Sequence, residues 1–307
     1  MAKRLNLNRK MTIGTGKKDE IDIFKFGTLI QLESHCWLGS KRLPKKATTE
    51  ISKDEKKSKW FKANKNLIDR TKLADINLYI AEARNTIWEY ALPFPIKGVY
   101  FLPNAKRDVV NTKLKEIKRK FDEAVGEFEV QYSDYIADAE ANLGEYFNSS
   151  DYPTEITNKF GIRWRFFEMT IPSGITKETY EEESNRFKQL MEQTEQMGIL
   201  ALRDSFGKIV NHLSETLTGK LDGEKRRIRQ DSLDKVQAFF IEFKNKNVFN
   251  DKGLENLIAS AQAIVGDVSP KDLKDQNVTK QINDQMKIIK KELDSSTETM
   301  RRKLTFY

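Results

Sequence analysis

The chain has a single cysteine, Cys36, so no disulfide can form within it, and this usage fits a reducing compartment. One cysteine and two histidines cannot furnish a conventional structural zinc site. A di-iron carboxylate bundle wants Glu-x-x-His pairs, but the residues three before His35 and His212 are Leu32 and Ile209. Cys36 stands beside His35, yet neighbours in sequence usually point apart, so the two do not read as a nucleophile and its base. Prolines number 7 and glycines 15, fewer than a loop-rich enzyme of 307 residues carries. The longest charge-free apolar stretch, Leu257 to Gly266, is too short to span a bilayer. Met1-Ala2-Lys3-Arg4-Leu5 lacks the apolar core of a signal peptide, so a cytoplasmic location is expected. Gly14-Thr15-Gly16-Lys17-Lys18 resembles a phosphate loop but has Met11 and Lys18 where glycine and Ser/Thr are required. These absences lead us to expect a non-enzymatic protein with no cofactor and no metal.

Charge is present but uneven. The net charge is +8, and residues 1–72 alone hold 19 Lys and Arg against 8 Asp and Glu. The remainder of the chain is therefore slightly acidic. A basic arm on a near-neutral body suits nucleic acid, an acidic partner surface, or simple solvation. Two local sets of residues could carry such binding. Lys59, Trp60 and Lys62 interleave an aromatic with lysines, the arrangement that stacks bases of single strands. Lys220, Lys225, Arg226, Arg227 and Arg229 cluster at the expected start of a helix, where they could grip phosphates or an acidic neighbour.

Most of the remaining pattern is helical. From Asn104 to Phe147, apolar residues such as Val110, Leu114, Ile117, Phe121, Val125 and Phe128 recur at steps of three and four. That spacing predicts one uninterrupted helix of roughly 65 Å with Asn104 as its N-cap. A stripe of that length needs a long partner, and the helix expected over Thr176–Leu217 is the natural antiparallel one. Gly198 and Gly207 lie inside that partner and allow close approach or a bend. Glu181, Glu182 and Glu183 fall in its first turns, where acidic groups favour the helix dipole. Further helices are expected over 69–91, ended by Pro93-Phe94-Pro95, and over 224–245, 252–265 and 270–303. Residues 96–103 form an extended connector. Residues 156–171 read as helix from Ile156, Phe160, Trp164 and Phe167, although Ile162, Trp164 and Phe166 also alternate as in a strand. No repeat of fixed period is visible.

Three places carry a family resemblance. They are Leu32-x-x-x-x-Trp37-x-Gly39, then Leu92-Pro93-Phe94-x-x-x-Gly98-x-x-Phe101-x-Pro103, and Tyr152-Pro153 followed by Phe160 and Pro172. Over residues 25–175 the chain resembles an uncharacterised bacterial and phage domain family. Genes of that family often lie near MoxR-type AAA+ ATPases and von Willebrand factor A proteins. The resemblance implies a helical partner in an ATPase-linked, phage-encoded assembly, and it carries no active residue with it.

The expected fold is all-α: an elongated long-helix bundle or coiled coil with a small irregular or β-containing N-terminal cap. We divide the chain into a basic arm (1–20), a cap with the first helix (21–103) and the long-helix bundle (104–307). The expected function is a self-assembling scaffold or adaptor, a homo-oligomeric ring or tube working with an AAA+ ATPase and von Willebrand factor A partners. Two alternatives are nucleic-acid binding through the basic residues above, and a membrane-active helical oligomer inserting Leu254–Gly266.

Overall fold

The protein is described here from a computed structural model, over residues 23–43, 63–218, 230–266, 268, 272 and 275–303. Strand β1 (Gly27–His35) lies at the centre of the chain's packing, although it is the first long element. It pairs antiparallel with β5 (Val99–Pro103) on one side and with β6 (Gly161–Phe167) on the other. The short β4 (Leu92–Pro93) completes the order β4-β5-β1-β6. A two-stranded ribbon is formed by β2 (Ser40–Arg42) and β3 (Asn64–Asn66). The expected all-α class is therefore wrong; the fold is mixed, with a four-stranded antiparallel sheet covered by helices. Helix was also the wrong expectation for residues 161–167, where the alternation of Ile162, Trp164 and Phe166 decides the structure.

The sheet is buried on both faces along its central strands. On one face Leu29, Val99 and Phe101 meet the C-terminal helices. On the other, Ile30, Leu102 and Ile162 meet the N-terminal ones. Leu29 and Ile30 are neighbours in sequence and are each fully buried, in different cores. Runs of that kind lose the apolar–polar alternation that marks a half-exposed strand. Gly27 is required by the close approach of β5, since a Cβ there would lie 2.4 Å from the Phe101 ring and 2.6 Å from the Leu102 oxygen.

The N-terminal layer consists of α1 (Ala74–Tyr90), α2 (Asn104–Val130) and α3 (Tyr132–Leu143). A 3-10 turn precedes α1, and Asp69 caps it by accepting the Thr71 N–H at 2.9 Å. The expected single helix over 104–147 is broken at Gln131, which has ψ of 0°. The apolar stripe nevertheless runs on through Tyr132 and Ala139. Asn104 is the first residue of α2 rather than its cap, and its side-chain amide donates to the Lys25 carbonyl at 3.1 Å. The long stripe on α2 is covered by α1, the sheet and the turn at Ile156–Lys159. Its expected antiparallel partner lies in the other layer, so no long coiled coil forms with it.

That other layer holds α4 (Lys177–Thr218), α5 (Gln230–Lys246), α6 (Lys252–Val265) and α7 (Gln276–Lys303). Helix α4 pairs antiparallel with α7. Ser214 Oγ contacts Asn283 Oδ1 at 2.6 Å, Arg203 donates to Ser296 Oγ at 2.8 Å, and Arg301 meets Asp204 at 2.6 Å. The apolar face of α6, with Leu254, Ile258, Ala261 and Val265, is buried in this core. Among the described residues no helix is long and apolar enough to cross a membrane.

Candidate functional site

The order of strands leaves β6 at an edge of the sheet. Its sequence, Gly-Ile-Arg-Trp-Arg-Phe-Phe, alternates in chemistry because the strand sits between two different surroundings. Ile162, Trp164 and Phe166 pack on the N-terminal core. Arg163 and Arg165 point to the opposite face and are exposed, opposite Glu33 and Gln31 of β1. Arg165 forms an ion pair with Glu33. Trp164 is oriented by an indole N–H bond to Asn111 Oδ1 of α2 at 3.0 Å.

Beside that indole, α2 supplies Lys115, Lys118 and Arg119 to a groove of about 490 Å³ that also includes Asp122 and Glu123. Lys118 and Arg119 are each paired four residues along with Asp122 and Glu123. Lys115 and Arg163 have no ion-pair partner among the described residues. No described segment forms a backbone ladder with the outer side of β6. The result is a seven-residue strand edge with cations on both faces and one indole between them.

Two other polar clusters have different characters. At the junction of α1, α2 and α5, Lys106 and Lys113 stand over the Tyr90 ring at 5.5 and 4.7 Å. Lys113 donates to the Tyr90 hydroxyl at 2.8 Å, which raises its pKa, and Lys106 meets Glu242 at 2.7 Å. Burial holds the Lys246 ammonium below the usual lysine range, against the pull of Glu242 and Glu89. The second cluster is a buried fork in which Arg203 holds both oxygens of Asp251 at 2.7 and 3.0 Å. Asp251 also caps α6 through the Leu254 N–H at 3.1 Å. Both clusters tie elements together, and their hydrogen bonds are largely satisfied within the protein.

Cys36 is half-buried, its pKa raised by that burial, and its thiol faces the Trp37 carbonyl at 3.5 Å. That environment opposes thiolate formation. No group of three or more potential metal ligands occurs among the described residues. The binding residues expected from sequence, Lys59, Trp60, Lys62, Lys220, Lys225, Arg226, Arg227 and Arg229, all lie outside the described residues. The β6 edge was missed as a site. Its signal was present as the strand-like alternation around Trp164, with an arginine in each gap.

A helix-covered antiparallel sheet, with β6 at an edge that no described segment pairs, defines a mixed α/β protein. The chain belongs to the family described as "Protein of unknown function (DUF3150)", which matches residues 27–239. The match begins at the first residue of β1 and ends inside α5, so it includes the whole β6 edge. No curated protein and no solved structure matches the chain. Within the matched region, three of the residues that carried the resemblance have structural roles. Gly39 and Gly98 take positive φ of 57° and 80°, which favours glycine, and Phe101 is fully buried.

Proposed function

We propose that the protein is a non-enzymatic scaffold or adaptor that assembles through the N-terminal part of α4. The observation that carries this reading is a mismatch in length. Helix α4 has 42 residues and its partner α7 has 28. The contacts Arg203–Ser296 and Asp204–Arg301 bring α7 near its described end. N-terminal to them, no residue from Lys177 to Gln193 is buried, and Thr194 is the first that is. This arm is about 25 Å long at 1.5 Å per residue. Tyr180, Phe187, Leu190 and Met191 share one side of it, and only the last two pack against the core. Such a stripe gains stability by being covered.

Charge along the arm favours a second copy as the cover. After Lys177 come Glu178, Glu181, Glu182 and Glu183, followed by Arg186, which already pairs with Glu182 and Glu183 in the same helix, and Lys188. A reversed copy sets each acidic end beside the other's basic middle. An AAA+ ATPase of the MoxR type and a von Willebrand factor A protein, implied by the resemblance, would be the partners of the resulting oligomer. Light scattering on the full chain at micromolar concentration tests the reading. We expect a dimer or larger species, converted to monomer with unchanged helicity by Tyr180→Glu with Phe187→Glu. A wild-type monomer at all accessible concentrations would refute it.

A further inference from the structure

We propose that the outer edge of β6 takes an extended acidic segment of a partner protein as a fifth strand of the sheet. An edge strand presents a row of unpaired N–H and C=O groups, and proteins commonly cover, shorten or bulge such edges. Strand β6 is seven residues long, and no described segment pairs with its outer side. Added strands bind by main-chain hydrogen bonds, with alternate side chains giving specificity. Here one set of incoming side chains would lie by Arg163 and Arg165. The other set would lie by Trp164 and the groove with Lys115, Lys118 and Arg119. The two arginines are two residues apart on one face, so the complementary segment carries carboxylates at every second position.

Other occupants fit the charge poorly. A second copy pairing antiparallel about Trp164 would put Arg163 opposite Arg165 twice, and like charges directly opposite are destabilising. The chain's own segment 1–22 carries Lys3, Arg4, Arg9, Lys10, Lys17 and Lys18 against Asp19, Glu20 and Asp22. Segment 44–62 is likewise dominated by lysine. Both are cationic, as the edge is. Nucleic acid would satisfy the cations but cannot pair with the backbone ladder of a strand.

The test uses the full chain and a fluorescent peptide of about eight residues in which valine and glutamate alternate. Fluorescence anisotropy at about 50 mM salt should show saturable binding. Arg163→Glu with Arg165→Glu should weaken that binding by about tenfold or more. These side chains are exposed, and circular dichroism reports whether the variant folds. A peptide N-methylated at every residue keeps its side-chain charges but loses all its ladder donors, and should bind at least about tenfold more weakly. Three results would overturn the proposal: no binding, equal binding by the double variant, or equal binding of the methylated peptide. Oligothymidylate binding that is lost in the double variant, with no peptide binding, would assign the edge to nucleic acid instead.

Discussion

The Tyr132 hydroxyl is buried without a hydrogen-bond partner among the described residues. Burial pushes its pKa up to about 12, with the neighbouring Tyr152 adding to the rise. A desolvated polar group left unpaired costs about 1–3 kcal/mol, while its ring packs usefully on Phe128 and Trp37. Tyr132→Phe should therefore stabilise the protein by about 1 kcal/mol. Phe128→Ala, one turn earlier and buried, should cost about 3–5 kcal/mol through lost burial and a cavity. Thermal melts of the two variants should move in opposite directions. Asp251 gives a pH-dependent counterpart. Burial alone would raise its pKa, but the hydrogen bonds from Arg203 and from the Leu254 N–H outweigh that and hold it below the ordinary aspartate value. A carboxylate with a lowered folded-state pKa stabilises the fold above its unfolded pKa of about 3.9 and loses that contribution as pH falls further. Urea titrations should show the wild type weakening from about pH 4 downward. Asp251→Asn should lack that part of the slope and be less stable at neutral pH by about 3–5 kcal/mol, because it leaves Arg203 buried and uncompensated.

Helices were more legible than strands. The stretch 252–265 was readable to the residue, and the end of α1 and the start of α2 nearly so, because their outer faces are polar and the 3.6-residue period stands out; the expected start of α1 fell five residues early, on the 3-10 turn. Partnership was not legible: a stripe shows that a face is covered and not by what. The α2 stripe went to α1 and the sheet, and α4 went to α7. Strand β1 was legible only as part of an irregular or β-containing cap and β5 only as an extended connector, because burial on both faces removes the alternation, and β6 was obscured by Phe160 and Phe167 also fitting a helical period. The glycines of α4 show how position decides an element's tolerance. A Cβ at Gly198 would lie 2.4 Å from the Phe249 ring, whereas at Gly207 the nearest atom, on Leu293, is 3.5 Å away. Gly198→Ala should cost about 1–3 kcal/mol by overpacking. Gly207→Ala should gain up to about 1 kcal/mol from helix propensity. Denaturant midpoints of the pair measure both effects.

At the scale of the whole molecule, one sheet joins two helical layers with separate cores, so each layer depends on strands that the other also uses. The long-range pairings Gly27–Pro103 and Leu29–Phe167 bring distant segments together, and nothing in local periodicity announces them. Among the described residues, no segment pairs with the outer side of β6, and the arm of α4 has no buried residue from Lys177 to Gln193. The first was visible in sequence only as a pattern of arginines in the gaps of an apolar alternation. The second was taken to be covered because the whole stripe of α4 was assigned to α2. If the arm assembles copies of the chain, its amides must become protected when the copies meet. Hydrogen exchange on the full chain from about 1 µM to about 100 µM measures this directly. Protection over residues 177–191 should rise with concentration, while α2 and the core of the sheet stay unchanged. Rapid exchange of those amides at every concentration would contradict the account.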